Sequence, residues 1–210
     1  MNSNQTRLAA LLQKQPVIPV LIIEELCNAV PLAQALIRGG IKIIEITLRT
    51  QAALDSIKII ADHVPEAIIG AGTIINPSQF ISAEKAGAKF IVSPGFGKNL
   101  LETADNSNTP FLPGAITPTE IIKAYEKNYK FFKFFPAEEI GSIAYLKAFI
   151  SPFPDIKFCP TGGINRKTAP LWLALPNVIC IGGSWIAPKK LIQEKQWDKI
   201  TKLAKQTLQL

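Results

Sequence analysis

Short apolar runs recur along the whole chain, separated by longer stretches in which apolar positions repeat with a helical period. The runs are rich in β-branched and aromatic residues. Several are apolar throughout, which is typical of parallel strands covered by helices. The pattern predicts eight strands, at Val17–Ile23, Lys42–Thr47, Ala67–Ala71, Lys89–Val92, Pro110–Pro113, Lys130–Phe135, Lys157–Cys159 and Val178–Ile181.

Helices are predicted between these strands, and local signals mark their ends. Asn76-Pro77 and Thr117-Pro118 are typical helix starts, whereas Gly39-Gly40 and Gly87 are typical helix stops. The predicted helices lie near Asn28–Arg38, Gln51–His63, Pro77–Ala86, Gly97–Ala104, Thr117–Lys127, Ser142–Phe149 and Arg166–Ala174, with a final helix from about Pro188.

The unbroken alternation of strand and helix favours an α/β fold, a single (β/α)8 TIM barrel over residues 1–210. An extra N-terminal helix is predicted around Leu8, Leu11 and Leu12. A doubly wound open sheet is the alternative, but it normally carries a glycine fingerprint after its first strand, where this chain reads Ile22-Ile23-Glu24-Glu25. In a barrel the chemistry gathers at the carboxyl ends of the strands.

Composition indicates the cellular setting. The segment Met1–Lys14 lacks the apolar core of a signal peptide, and the longest apolar runs are far too short to span a bilayer. Cys27, Cys159 and Cys180 show no paired spacing and are interpreted as reduced thiols. We therefore expect a cytoplasmic protein without a membrane partner.

The formal net charge of +7 suggests an anionic partner. A small phosphorylated ligand explains that sign at least as well as nucleic acid does, and without a nucleic-acid motif no such partner is expected. No His or Cys cluster has ligand spacing, so no metal or other cofactor is expected. Much of the positive charge suits a solvated face of the final helix, at Lys189, Lys190, Lys195, Lys199, Lys202 and Lys205.

Lys133 is a candidate nucleophile, because four phenylalanines surround it in the sixth strand. Successive strand residues face opposite sides, so Phe131, Lys133 and Phe135 share one face. Burial among aromatic carbon disfavours the charged form, and a neutral amine is the nucleophile that Schiff-base catalysis requires. Taken alone, a lysine at a strand end with its head in water is the favoured interpretation.

Glu45 is the candidate partner of this lysine. In the second strand the isoleucines share one face, whereas Glu45, Thr47 and Arg49 share the other. If the apolar face meets the helices, Glu45 points inward, where a carboxylate is costly unless a cation such as Lys133 pairs with it. Glu45 is then a candidate proton shuttle and Arg49 a candidate for binding a substrate carboxylate. A purely structural ion pair is the alternative.

Glycine pairs follow the seventh and eighth strands, in Thr161-Gly162-Gly163 and Gly182-Gly183-Ser184. Bare backbone N–H groups beside a hydroxyl form a cradle for phosphate, and these two loops hold phosphate in many barrels. One such pair is only a turn, but two after adjacent strands indicate a phosphate site. At other strand ends, Thr73, Pro94 and Phe135 are either turn and core residues or walls of a pocket for a small keto acid.

Six ordered motifs resemble those of the bacterial class I KDPG/KHG aldolases and cover nearly the whole predicted barrel. That family cleaves 2-keto-3-deoxy-6-phosphogluconate and, in many members, 4-hydroxy-2-oxoglutarate. The motifs are Ile-Glu-Ile-Thr-Leu-Arg-Thr (44–50), Gly-Ala-Gly-Thr (70–73), Ser-Pro-Gly (93–95), Phe-Lys-Phe-Phe-Pro-Ala (132–137), Cys-Pro-Thr-Gly-Gly-Ile (159–164) and Ile-Gly-Gly-Ser-Trp (181–185).

The resemblance implies a homotrimeric carbon–carbon lyase and a role for each candidate. Lys133 would form the Schiff base with a keto-acid substrate, and Glu45 would act as general acid and base. The pyruvyl half of the substrate would contact Arg49, Thr73, Pro94 and Phe135, and Thr161 would be a further substrate-binding residue. The phosphate would contact Gly162, Gly163, Gly183 and Ser184.

Two other functions remain open from the residues alone. A sugar-phosphate isomerase or epimerase would use Glu45 as base and Lys133 as an electrostatic clamp, and a phosphate-ligand sensor would use the loops without catalysis. The chain also departs from the family in several places, one of which bears on substrate choice. Some relatives carry a cationic residue just after the first strand, where this chain reads Ile22-Ile23-Glu24, so any role of that cation in substrate choice is in doubt.

Overall fold

The computed structural model describes residues 3–140 and 143–210, so the predicted helix start at Ser142 lies outside the described residues. Within these residues no helix has the length and apolar character needed to cross a bilayer. The elements in chain order are α1 (Ser3–Leu12), β1 (Val17–Leu21), a 3-10 turn (Leu26–Asn28), α2 (Ala29–Arg38), β2 (Ile43–Thr47), α3 (Ala53–His63), β3 (Ile68–Gly72), α4 (Pro77–Lys85), β4 (Phe90–Val92), α5 (Lys98–Asp105), β5 (Phe111–Leu112), α6 (Pro118–Tyr125), β6 (Phe131–Phe134), α7 (Ile143–Ala148), β7 (Lys157–Pro160), α8 (Ala169–Leu173), β8 (Ile181–Gly183), α9 (Lys189–Gln193) and α10 (Trp197–Thr207).

Each predicted strand has its counterpart, and the largest shift is in the eighth, which begins at Ile181 rather than Val178. The prediction of one final helix was wrong, because α9 and α10 are separate. Lys195 lies between them with a φ of 53°, a left-handed conformation that ends a helix. The C-terminal lysines therefore do not share one helix face.

All strand pairs in the fold are parallel. Six strands form a curled sheet in the order β5-β4-β3-β2-β1-β8, and β6 pairs with β7 in a second sheet. Glu45 is in register with Val20 on one side and Gly70 on the other, and Lys133 is in register with Cys159. Parallel strands bring all their carboxyl ends to one edge, so residues that end different strands meet there.

Two apolar layers lie on opposite sides of the strands. Phe132 and Phe134 belong to the outer layer, which packs against the helices, whereas Phe131 belongs to the inner layer, as the strand alternation predicted. The inner layer also receives two leucines from α1. Its buried members are Leu8, Leu12, Ile18, Ile43, Phe90, Val92, Leu112, Phe131, Cys159 and Cys180.

Two buried glutamines fasten the N-terminal segment to the amino ends of the strands. Gln5 donates to the Phe111 carbonyl at 3.3 Å and accepts from the Lys130 N–H at 2.9 Å. Gln15 donates to the Val17 and Ile43 carbonyls and accepts two backbone N–H groups at the start of β2. These bonds satisfy backbone groups at the amino ends of the strands, whereas the candidate site residues lie at the carboxyl ends.

Candidate active site

Lys133 on β6 and Glu45 on β2 form a buried ion pair. The Lys133 Nζ lies 3.5 Å from the Glu45 Oε1, and the two residues are 3% and 4% exposed. Every other ion pair in the described part of the chain joins side chains that are each at least 30% exposed. Burying two charges is costly even when they are paired, so a pair at this position requires a reason beyond stability.

Gly72 makes room for the Glu45 carboxylate. A Cβ built on Gly72 would overlap the carboxylate, so the acid packs directly against the backbone of β3. Next to it, the Thr47 hydroxyl is buried and donates to the Leu21 carbonyl at 2.9 Å. Gly72 was not among the predicted site residues, although it lies in the Gly70-Ala71-Gly72-Thr73 motif that signalled the family.

An aromatic ring covers the lysine on one side. The Lys133 Nζ lies 5.3 Å from the centroid of the Phe135 ring, within the range of a cation–π contact. Phe135 was predicted to share the face of Lys133, and the structure places it there. The ammonium group therefore contacts both the Phe135 ring and the Glu45 carboxylate.

Two thiols lie beneath the ion pair in the inner layer. The Cys180 thiol lies 3.5 Å from the Cys159 sulfur. The hydrogen bond with Cys159 and complete burial raise the pKa of Cys180 well above its usual value. Cys180 therefore stays protonated at neutral pH. Both cysteines are buried.

Arg49 extends from the end of β2 toward the next strand. Its Nε donates to the Thr73 hydroxyl at 3.3 Å, so two predicted site residues lie together. Thr73 has a φ of 60°, which residues with a side chain rarely adopt and which is often found at functional sites. The guanidinium is exposed and free to accept an anion.

A cavity of about 230 Å³ opens beside these residues. Within the described residues, Arg49 is the only charged side chain that lines it. The cavity extends from Phe135, whose ring lies over Lys133, to the glycine loops after β7 and β8. The lining residues are Val20, Ile22, Arg49, Phe135, Thr161, Gly162, Gly163, Ile164, Gly182 and Ser184.

Most predicted binding residues line this cavity, but some lie elsewhere. Gly183 is packed beneath the Trp185 indole, and Gly182 lines the cavity in its place. The Pro94 carbonyl packs against the backbone of Gly114, and Pro94 is not among the described residues that line the cavity. Gly162 and Gly163 have φ values of 105° and 71°, so this turn requires glycine.

A larger depression of about 550 Å³ lies near the amino ends of β6 and β7, away from the ion pair. Its two lysines already have partners, since Lys130 pairs with Asp155 at 3.3 Å and Lys157 donates to the Pro176 carbonyl at 2.8 Å. Size alone does not make it the functional site. No group of side chains suited to a metal ion occurs within residues 3–140 and 143–210.

Comparisons with known proteins identify the family of the chain. The family model described as KDPG and KHG aldolase matches residues 8–203. A 2-dehydro-3-deoxy-phosphogluconate aldolase of Pseudoalteromonas atlantica is 50% identical over 92% of this chain and 90% of that protein. The KHG/KDPG aldolase of Escherichia coli is 43% identical over 100% of this chain and 98% of that protein. The KDPG aldolase of Legionella pneumophila, solved with pyruvate captured at low pH as a covalent carbinolamine, superimposes with a TM-score of 0.93 at 44% identity, over 95% of this chain and 97% of that one.

Proposed function

The chain belongs to the KDPG and KHG aldolase family, and from this membership we propose a mechanism in which Lys133 and Glu45 carry the reaction. The protein is a carbon–carbon lyase, a class I aldolase that cleaves 2-keto-3-deoxy-6-phosphogluconate to pyruvate and glyceraldehyde 3-phosphate. The buried contact of 3.5 Å between the lysine and the carboxylate is the observation that supports these roles most strongly.

Lys133 supplies the nucleophile. Transfer of a proton from its ammonium group to the adjacent Glu45 carboxylate leaves a neutral amine, which attacks the C2 carbonyl of the substrate. The resulting carbinolamine loses water, with the proton returned by Glu45, and becomes an iminium. The covalent carbinolamine of pyruvate in the Legionella pneumophila aldolase is an intermediate of the same kind.

Glu45 then acts as the base for bond cleavage. Its carboxylate takes the proton of the C4 hydroxyl while the C3–C4 bond breaks, and the bonding electrons pass to the iminium to form an enamine. The aldehyde leaves, and the enamine is protonated on C3. Hydrolysis of the iminium releases pyruvate and regenerates the Lys133 amine.

The remaining predicted residues bind the two ends of the substrate. Arg49, fixed by Thr73, is placed to bind the carboxylate of the pyruvyl half, and the Phe135 ring packs beside the reacting carbons. We assign Pro94 and Thr161 to the same half. We assign the phosphate to the loops after β7 and β8, through Gly162, Gly163, Gly182 and Ser184, which line the cavity, and through the backbone N–H of Gly183 beside them.

The same site suits 4-hydroxy-2-oxoglutarate, which would give pyruvate and glyoxylate. The Escherichia coli relative is a KHG/KDPG aldolase, so one protein of this family carries both names. Both substrates present the same 2-keto carboxylate to Lys133 and a hydroxyl on C4 to Glu45. They differ in the end of the chain that reaches the glycine loops.

We also propose a closed (β/α)8 barrel forming one domain over residues 1–210. Hydrogen bonds between the backbones of Lys133 and Pro113 and of Phe158 and Ile179 support closure, because they link the two sheets. We further propose a homotrimer, as the family resemblance implies. The reaction class fits a cytoplasmic location.

Borohydride reduction in the presence of pyruvate tests the proposal. We expect one irreversible pyruvyl adduct per chain, located on Lys133 by peptide mass spectrometry, with loss of aldolase activity. Lys133→Ala should abolish both adduct and turnover. Lys130→Ala, a change in a half-buried lysine of the same segment that pairs with Asp155, is the matched control and should retain both. Full turnover by Lys133→Ala would overturn the mechanism.

A further inference from the structure

The proposed substrate has two anionic groups, a carboxylate and a phosphate, but the cavity beside the ion pair offers only one cationic side chain among the described residues. Arg49 is its only charged lining residue within the described part of the chain, and Arg49 is tied to Thr73 on the pyruvyl side. The loops after β7 and β8 therefore offer only neutral groups to a phosphate dianion. Arg166, three residues beyond Gly163, is turned away and donates to Gln206 on α10.

Lys189 is the cation positioned to supply the missing charge. It begins α9, five residues after Ser184, and the intervening chain turns back where the Ala187 N–H donates to the Ser184 carbonyl at 3.3 Å. Lys189 lines a small depression that shares Ile22 with the cavity. Ile22, which is 40% exposed, thus separates Lys189 from the phosphate loops.

Glu24 holds this lysine at the end of β1. The Lys189 Nζ donates to one oxygen of Glu24 at 2.6 Å, and the Gln193 side chain donates to the other at 3.2 Å. The hydrogen bond from Lys189 holds the pKa of Glu24 below its usual range, so Glu24 is ionised at neutral pH. Exposed ion pairs of this type contribute little to stability, so a phosphate dianion competes effectively for the lysine.

We propose that Glu24 and Lys189 form a specificity element of the aldolase: Lys189 binds the phosphate of the longer substrate, and Glu24 competes for that lysine. This inference rests on the proposed function. The phosphate of 2-keto-3-deoxy-6-phosphogluconate is carried on C6, whereas the second carboxylate of 4-hydroxy-2-oxoglutarate is C5 itself. Only the longer, phosphorylated substrate is expected to extend from Lys133 to the edge of the cavity beyond which Lys189 lies. Lys189 and Glu24 therefore affect the binding of that substrate and not of 4-hydroxy-2-oxoglutarate.

Steady-state rates on both substrates test the proposal, with the shorter substrate as internal reference. Lys189→Gln should lower kcat/KM for the phosphorylated substrate about tenfold through KM, since charge-assisted bonds to phosphate are strong. Glu24→Gln should raise it about threefold, because the competing carboxylate is gone. Neither change should alter kcat, or the rate on 4-hydroxy-2-oxoglutarate, by more than about twofold, because the reacting carbons lie elsewhere.

Glu194→Gln is the matched control. Glu194 lies just beyond α9 and pairs with Lys190 at 3.8 Å, so this variant removes the same charge from the same region. An equal effect of Glu24→Gln and Glu194→Gln on the substrate ratio would overturn the proposal, as would an unchanged ratio in Lys189→Gln. Trapping of pyruvate on Lys133 distinguishes failure of this inference from failure of the proposed function. If pyruvate is trapped but Lys189→Gln leaves the ratio of the two substrate rates unchanged, only this inference is overturned. If the unmodified protein does not trap pyruvate, the proposed function is overturned as well.

Discussion

The Lys133 ammonium and the Glu45 carboxylate lie 3.5 Å apart although 88 residues separate them in the chain. They come from β6 and β2, and each is held by register with its neighbouring strands. Removing one partner leaves the other as an uncompensated buried charge, whereas a neutral isostere preserves shape. A neutral isostere is therefore the substitution that tests the catalytic role of either residue without disrupting the fold.

Glu45→Gln keeps the size of the side chain but cannot accept the C4 hydroxyl proton. We expect turnover to fall by about 10²- to 10⁴-fold, the usual range for loss of a general base. Imine formation with pyruvate should persist at a lower rate, because the nucleophile is intact. Single-turnover borohydride trapping and steady-state kinetics measure the two steps separately. Glu102→Gln, at an exposed carboxylate, should change neither, and near-normal turnover by Glu45→Gln would exclude the proposed base.

Gly72→Ala tests the close approach of β3 to the carboxylate. The new methyl group would overlap Glu45, so the acid must move away from the lysine or the strand must shift. Loss of alignment at a reacting centre costs about 10²-fold in rate, and we expect at least that loss in kcat. Gly97→Ala is the control, since a Cβ at Gly97 meets open space. Equal activity of the two variants would contradict the role assigned to Gly72.

The alternation of strand residues was enough to predict that Lys133 shares a face with Phe131 and Phe135, and that Glu45 lies opposite the isoleucines of its strand. Side-chain direction in a strand is a local property with a period of two, so it does not depend on the rest of the fold. The separation of Phe131 from Phe132 into different apolar layers confirms this reasoning. The alternation of strands with helices also predicted the α/β class and the parallel pairing of the strands, whereas their division into a six-stranded and a two-stranded sheet was not predicted.

Features that depend on distant partners were not predictable in this way. Glu24 and Lys189 are 165 residues apart, and nothing in either segment indicates the other. The break between α9 and α10 occurs at Lys195, without the glycine that usually marks a left-handed residue. The packing of Gly183 beneath Trp185, with Gly182 lining the cavity, is local, but the repeated glycines gave no sign of which of the two would face the cavity.

Gln15→Ala should destabilise the fold without touching the site. Gln15 is 5% exposed and bonds four backbone groups at the amino ends of β1 and β2, at distances from 2.7 to 3.1 Å. Its removal leaves buried backbone groups unsatisfied, at a cost of about 2–4 kcal/mol in the free energy of unfolding. Urea denaturation at fixed protein concentration measures the change. Gln13→Ala, at an exposed glutamine two residues earlier, should cost under about 0.5 kcal/mol.

Alkylation distinguishes the three cysteines, because only thiolates react and only exposed ones are reached. Cys27 is exposed, whereas Cys159 and Cys180 are buried, and the raised pKa of Cys180 keeps its thiol protonated. Native protein treated with iodoacetamide near pH 8 should gain one adduct rapidly, and unfolded protein should gain three. The buried pair should react at least about 100-fold more slowly, through transient opening of the strands.

Intact-mass measurements over time give both rates, and Cys27→Ser supplies the control, since it should remove the rapid adduct and leave the slow ones unchanged. Rapid modification of Cys159 or Cys180 in protein that keeps its aldolase activity would contradict their placement beneath the ion pair. Cys159 is the register partner of Lys133, so an adduct on either thiol would place extra atoms in the packed inner layer next to the lysine. If the thiols lie where the structure places them, protein labelled at these positions cannot keep its aldolase activity.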